Sequence, residues 1–206
     1  MIKNTIPVFL LSRMGTYEVE IDGAKVKVGV VDNTDVVDRK IDELKSLLKT
    51  SQIGVVGVDV KSIRNTESKC VVQMLLLCVG TYCLIIQLCH LDDVPDKLIN
   101  FLGDDTICFL CTPIEDKVNS FLSDYYDLSC STGVKVGYFA SKILKKANIE
   151  KYGLAKLAGE VGMDIKEPIG ECPDWSAKLF TQEQIKHAVH NVYTTYVIGK
   201  KLVEML

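Results

Sequence analysis

Three features of the 206-residue chain predict an α/β fold with one mixed sheet and helices on both faces. Residues 53–60, IGVVGVDV, are apolar or glycine at every position but one, the pattern of a central strand buried on two sides. The segments CVVQMLLLCV and YCLIIQLCHL flank Gly80-Thr81 and read as an antiparallel hairpin. Helical periodicity then interleaves with further strands and dominates the last third of the chain.

Each element follows from local chemistry. Residues 16–30, TYEVEIDGAKVKVGV, alternate apolar and polar around Asp22-Gly23, a strong N-terminal hairpin signal. Residues 35–50 place Val36, Ile41, Leu44, Leu47 and Leu48 at helical spacing, with Asp35 or Asn33 as the cap. After the central strand and the second hairpin, PDKLINFLG (95–103) reads as a helix with Pro95 in its first turn and Gly103 at its end. TICFLCT is a fourth core strand, and IEDKVNSFLSDYY a helix. KVGYF (135–139) reads as a fifth strand, followed by short amphipathic helices in GYFASKILKKA and KYGLAKLAGEVG. Residues 166–178 hold two of the five prolines and the only tryptophan and read as a surface loop. The final helix starts at Thr181 with Gln184 three residues on, a capping box. This order gives a mixed five-stranded sheet with helices on both faces, plus the N-terminal hairpin, which is the ribonuclease H-like layout.

Composition narrows the function. Residues 1–206 are expected to form one domain, with 48% apolar residues to build its core. The net charge of −3 gives no global basic field, which argues against a strong nonspecific nucleic-acid binder while leaving room for a local basic groove. Most of the eight cysteines sit inside apolar runs, where a thiol behaves as a small hydrophobe. The N-terminus lacks the pattern of a secretion signal, and no apolar run has the length of a membrane span. The expectation is a reduced, intracellular protein of nucleus or cytosol. CFLC (108–111) has zinc-knuckle spacing, but no second pair completes four ligands, so it is read as core strand.

The central strand ends on Asp59-Val60-Lys61, and the strand pleat turns Asp59 and Lys61 to the same face. Two carboxylates so placed share a divalent cation; here an ammonium holds the second position. Four stretches in order, VVGVDVKS, VVQMLLLCVGTYCLIIQL, CTPIEDKVNSFLSDYYDL and DWSAKLFTQEQIKHAVHNVY, resemble the motifs of the DnaQ-like (DEDD) 3′–5′ exonucleases. The resemblance is to the Werner-type exonuclease domain and its short plant relatives, and it runs from about residue 16 to the end.

That resemblance implies two-metal phosphodiester hydrolysis, in which four carboxylates hold two Mg²⁺ or Mn²⁺ ions and a Tyr or His assists the attacking water. Asp59 matches the first carboxylate, and Lys61 stands at the second. Lys117 falls on the third, with Asp116 one position early. His187 takes the Tyr position and Asn191 the last carboxylate, four residues apart on one helix face. One carboxylate, two ammoniums and one amide sum to +1, or to −1 with Asp116 in place of Lys117, where the family carries −4. An ammonium about 4 Å from a divalent cation opposes it by roughly 8 kcal/mol at an effective dielectric of about 20.

The resemblance therefore implies a vestigial site: a protein that binds single-stranded or 3′-end nucleic acid with weak or lost hydrolysis. Any metal would rest on Asp59 and Asp116. The resemblance also implies a homo-oligomer, such as the hexameric ring of the short plant relatives. An active Mg²⁺- or Mn²⁺-dependent exonuclease would then add to Asp59 and Asp116 spare carboxylates, Glu115, Asp124 or Glu183, or a group from a neighbouring subunit. A third possibility is a structural assembly partner of active paralogues. Each residue also has a plainer explanation. Asp59 and Lys61 form a strand-end salt bridge, His187, His90 and His190 are structural, and Lys142, Lys145, Lys146, Lys151 and Lys156 line a solvated helix face.

Overall fold

The computed structural model describes residues 17–64, 70–112, 126, 128–166, 174–177 and 180–206. Seven strands form one sheet: β1 (Tyr17–Ile21), β2 (Ala24–Val31), β3 (Val55–Arg64), β4 (Cys70–Val79), β5 (Tyr82–Ile86), β6 (Cys108–Cys111) and β7 (Gly133–Lys135). The spatial order is β1-β2-β5-β4-β3-β6-β7. The central β4 runs antiparallel to both β3 and β5, while β6 adds in parallel to β3 and β7 in parallel to β6. These five form the expected mixed sheet. The β1–β2 hairpin extends it, with β2 parallel to β5.

Five α-helices are described: α1 (Thr34–Ser51), α2 (Asp96–Leu102), α3 (Val136–Ile143), α4 (Leu154–Glu160) and α5 (Gln182–Val203). Asn33 caps α1, its side-chain oxygen accepting from the Asp35 and Val36 amides. Asp35 thus lies inside the first turn, where its charge suits the helix dipole. The buried stripe of α1 is Val37, Ile41, Leu44 and Leu48. Val37 replaces the expected Val36, which is only partly buried, and Leu47 faces outward. Pro95 is the cap of α2 rather than a first-turn residue.

The fifth strand is Gly133–Lys135, and Val136 already starts α3, so the expected strand over 135–139 is corrected. The apolar run there is the buried side of a helix: Val136 and Ala140 are fully enclosed. Trp175 is also buried, at 3% exposure, although its loop composition suggested a surface segment. Proline and polar neighbours mark a loop but say nothing about one large side chain turning inward. The expected helix over 114–126 lies outside the described residues apart from Tyr126.

The sheet has two packed faces. Val56, Val58 and Val60 of β3 point toward α1 and α2. Val55 points the other way, toward α5, Trp175 and Phe180. Cys108 and Cys111 fall on opposite faces and cannot share a metal ion. Helix α5 lies close on β3 because two contacts are glycine. A Cβ on Gly57 would stand 2.5 Å from the Val192 carbonyl oxygen, and one on Gly199 would collide with Leu110. Gly57 meets Val192 and Tyr196, whereas Gly199 meets Val55 and Leu110. Advancing along β3 therefore means retreating along α5, and the start of α5 overhangs Asp59 and Lys61. Thr181 caps α5 in the expected box with Gln184. A third cluster joins α3, α4 and the end of α5 through Val136, Leu157, Ile198 and Leu202.

Candidate functional site

Asp59 lies on the α5 face of the sheet in the middle of β3, which runs on to Arg64 instead of ending at Lys61 as expected, because β4 continues to pair with it. It stands one residue beyond the last pair with β6 and is 3% exposed. A carboxylate so enclosed is stable only if its oxygens are satisfied. The Lys61 ammonium donates to Asp59 Oδ2 at 2.6 Å. The Val60 amide donates to Oδ1 at 3.0 Å, and the Thr112 hydroxyl donates to the same oxygen at 3.3 Å. Three donors, one of them charged, use most of what a carboxylate can accept.

The Lys61 side chain is itself mostly enclosed, at 13% exposure. Its ammonium lies 5.8 Å from the centre of the Trp175 ring, within reach of a cation–π attraction. Trp175 in turn packs beside His187 and Phe180, with ring centres 5.9 and 6.2 Å apart. His187, half-buried on the first turns of α5, has its imidazole held below its ordinary value, first by burial and then by the positive charges of Lys61 and His190. Burial is the larger cause of its reluctance to carry charge, and the fixed cation of Lys61 adds to it.

Asn191 lies one turn beyond His187, next to the residue whose carbonyl abuts Gly57. His190 Nδ1 and Asn191 Oδ1 are 3.3 Å apart. His190 is buried, with its other ring nitrogen 3.9 Å from the Asp22 carboxylate in the first hairpin turn. That distance is beyond hydrogen-bond reach and leaves Nε2 without a hydrogen bond, so Asp22 is a charged neighbour from a distant turn that sequence spacing could not show. Glu183 is exposed in the first turn of α5. Asp116, Lys117, Glu115 and Asp124 lie outside the described residues.

The structure thus brings together Asp59, Lys61, Thr112, Trp175 and His187. Thr112 and Trp175 were not selected from sequence. Thr112 follows a core strand whose last residue, Cys111, is in register with Val58, so parallel pairing alone carries it to Asp59.

Among the described residues, the donors around Asp59 do not make up a site for a divalent ion. Asp59 Oδ2 is taken by an ammonium, Oδ1 by two neutral donors, and no group of three His, Cys, Asp or Glu side chains suited to a metal occurs among the described residues. Among the described residues, no helix is long and apolar enough to cross a membrane.

Comparison with known structures reproduces this architecture. The crystal structure of the EXD2 exonuclease domain soaked in Mn aligns with a TM-score of 0.53 and 21% identity, covering 84% of this chain and 86% of that one. A form of the same domain soaked in Mg and GMP aligns at 0.51 and 21%, over 83% and 85% of the two chains. Escherichia coli RNase D, an exoribonuclease involved in structured RNA processing, aligns at 0.69 and 14%, over 86% of this chain and 44% of RNase D. Identities this low establish a shared nuclease-domain fold. No family model and no curated protein matches the chain.

Two outcomes follow. Lys61→Met keeps the aliphatic stem but leaves a buried oxygen of Asp59 unpaired, and should cost about 2–3 kcal/mol of stability in urea unfolding. Asp59→Asn with Lys61→Met should recover more than half of that loss; additive losses would show that the two groups do not act as a pair. For His187 the unfolded chain binds a proton at about pH 6.5 that the folded chain takes up only at lower pH. Stability is therefore full above about pH 6.5 and falls as pH drops through the depressed folded value. Urea midpoints in His187→Gln should lose that part of the acid-side slope.

Proposed function

We propose that this chain is an exonuclease-fold domain that binds single-stranded or 3′-end nucleic acid and has lost efficient two-metal hydrolysis. One observation carries the proposal: the Lys61 ammonium sits 2.6 Å from the carboxylate of Asp59, just past the carboxyl ends of the parallel strands β6 and β7, where open α/β sheets hold their ligands. By the resemblance, Asp59 is the surviving first carboxylate, Lys61 and Asn191 replace two others, and Lys117 or Asp116 stands at the fourth position. Lys61 supplies one fixed positive charge where the family holds metal cations. His187 then has no metal-bound water to serve. Lys61 is paired with Asp59 and Trp175 is buried, so a bound strand is held by groups outside this enclosure and is not cut.

The EXD2 exonuclease domain has been studied soaked in Mn and soaked in Mg and GMP, which supports reading this fold as one that meets divalent ions and nucleotides. The test uses a 5′-labelled single-stranded RNA and a matching DNA with Mg²⁺ or Mn²⁺, read on a sequencing gel and on a native gel. The wild-type protein should shift the strand without shortening it. A ladder from the 3′ end that vanishes in Asp59→Ala would overturn the loss of hydrolysis. Lys61→Glu with Asn191→Asp, and Lys117→Asp added, should raise Mn²⁺ affinity at least tenfold by calorimetry. No gain in the triple variant would sink the assignment of these positions.

A further inference from the structure

The chain is acidic overall, yet residues 133–160 hold six lysines against two glutamates. This segment leaves the sheet level with Asp59. The last residue of β7, Lys135, is in register with Cys111, and Cys111 with Val58, the residue before Asp59. Helix α3 begins at the next residue, Val136.

Tyr138, in the first turn of α3, is among the few large apolar side chains left open to solvent, at 43% exposure. The Lys142 ammonium, one turn on, lies 4.9 Å from the centre of its ring. A second pair repeats the arrangement: Lys156 lies 5.5 Å from the centre of the half-buried Tyr152 ring. Gly137 brings the two together. A Cβ there would collide with the backbone of Glu150, so α3 and the segment leading to Tyr152 are in direct contact. Tyr138 is one residue from that contact and Tyr152 two. The neighbouring Lys146 is committed elsewhere, bonded to Glu160 at 2.7 Å.

We infer that Tyr138 with Lys142 and Tyr152 with Lys156 form a binding track for single-stranded nucleic acid, leading toward Asp59. The inference rests on the proposed nucleic-acid function and locates where the strand runs. An aromatic face stacks on an unpaired base, and a lysine beside it neutralises the adjoining phosphate, a combination tolerant of sequence. A solvated lysine face needs no exposed ring beneath its ammonium. An acidic polypeptide would use the lysines and leave the rings without a flat partner.

The test is fluorescence anisotropy of the full chain with 5′-fluorescein oligo(dT) and oligo(U) of about 20 nucleotides, in EDTA, across a salt series. Tyr138→Ala with Tyr152→Ala should weaken binding at least tenfold, and the corresponding Phe pair should stay within about twofold of wild type. The single Tyr138→Ala change, at an exposed position, should weaken it at least threefold and guards against misfolding of the pair. Lys142→Gln with Lys156→Gln should reduce the slope of log affinity against log salt by about 1.4. Wild-type binding that the Tyr→Ala variants leave unchanged would overturn the track while the proposed function stands. Failure of the wild-type protein to bind either oligonucleotide would overturn the proposed function and the track with it.

Discussion

The close seating of α5 on β3 is the constraint on which the rest depends. A helix normally stands off a sheet by the depth of its side chains. Here Gly57 and Gly199 remove that spacer at two points along the line of contact. The helix runs back along β3, so its first turns cover the middle of the strand, and His187 and Trp175 become the roof over Asp59 and Lys61. Overpacking at such contacts costs about 1–3 kcal/mol, because neither a carbonyl nor a packed leucine can yield far. The same seating encloses Asp59 and so raises the electrostatic stakes of whatever stands beside it.

Within that enclosure the choice of partner decides the chemistry. A buried carboxylate needs positive charge, and either metal ions or an ammonium can supply it. Divalent ions need several anionic oxygens; an ammonium needs only one and a few neutral donors. Asp59 with Lys61, the Val60 amide and Thr112 is a complete set of the second kind. The charge also propagates outward, since the depressed basicity of His187 owes part of its cause to Lys61. The basic segment from β7 to α4 gives the same part of the sheet a surface suited to phosphates, while the chain as a whole stays acidic.

Much of this was legible in the sequence because it rests on periodicity and on turn chemistry. Alternation around Asp22-Gly23, the apolar run at 53–60 and the Thr181 box each specify an element by local rules. The pleat alone put Asp59 and Lys61 on one face. Three things escaped. The strand before α3 was placed two residues late, because Val136 and Ala140 suit a strand and a helix equally. The burial of Trp175 is not legible in its loop composition because it depends on the placement of α5. Thr112 and the His190–Asp22 approach join residues far apart in the chain, and only strand register and helix placement bring them together. Positions 116 and 117 fall outside the described residues, so their place at the site rests on sequence alone.

The most direct measurement is Mn²⁺ titration of isotope-labelled wild-type protein, with paramagnetic broadening of the Val60, Thr112 and Asn191 backbone amides read by NMR. A metal ion held by any carboxylate at this part of the sheet, including one from residues 113–125, would broaden these signals first. Replacement of the metal by Lys61 predicts that they broaden no earlier than amides elsewhere on the surface at sub-millimolar Mn²⁺. Selective early loss of Val60 and Thr112 would show a divalent ion seated beside Asp59, and would contradict the claim that an ammonium has taken its place.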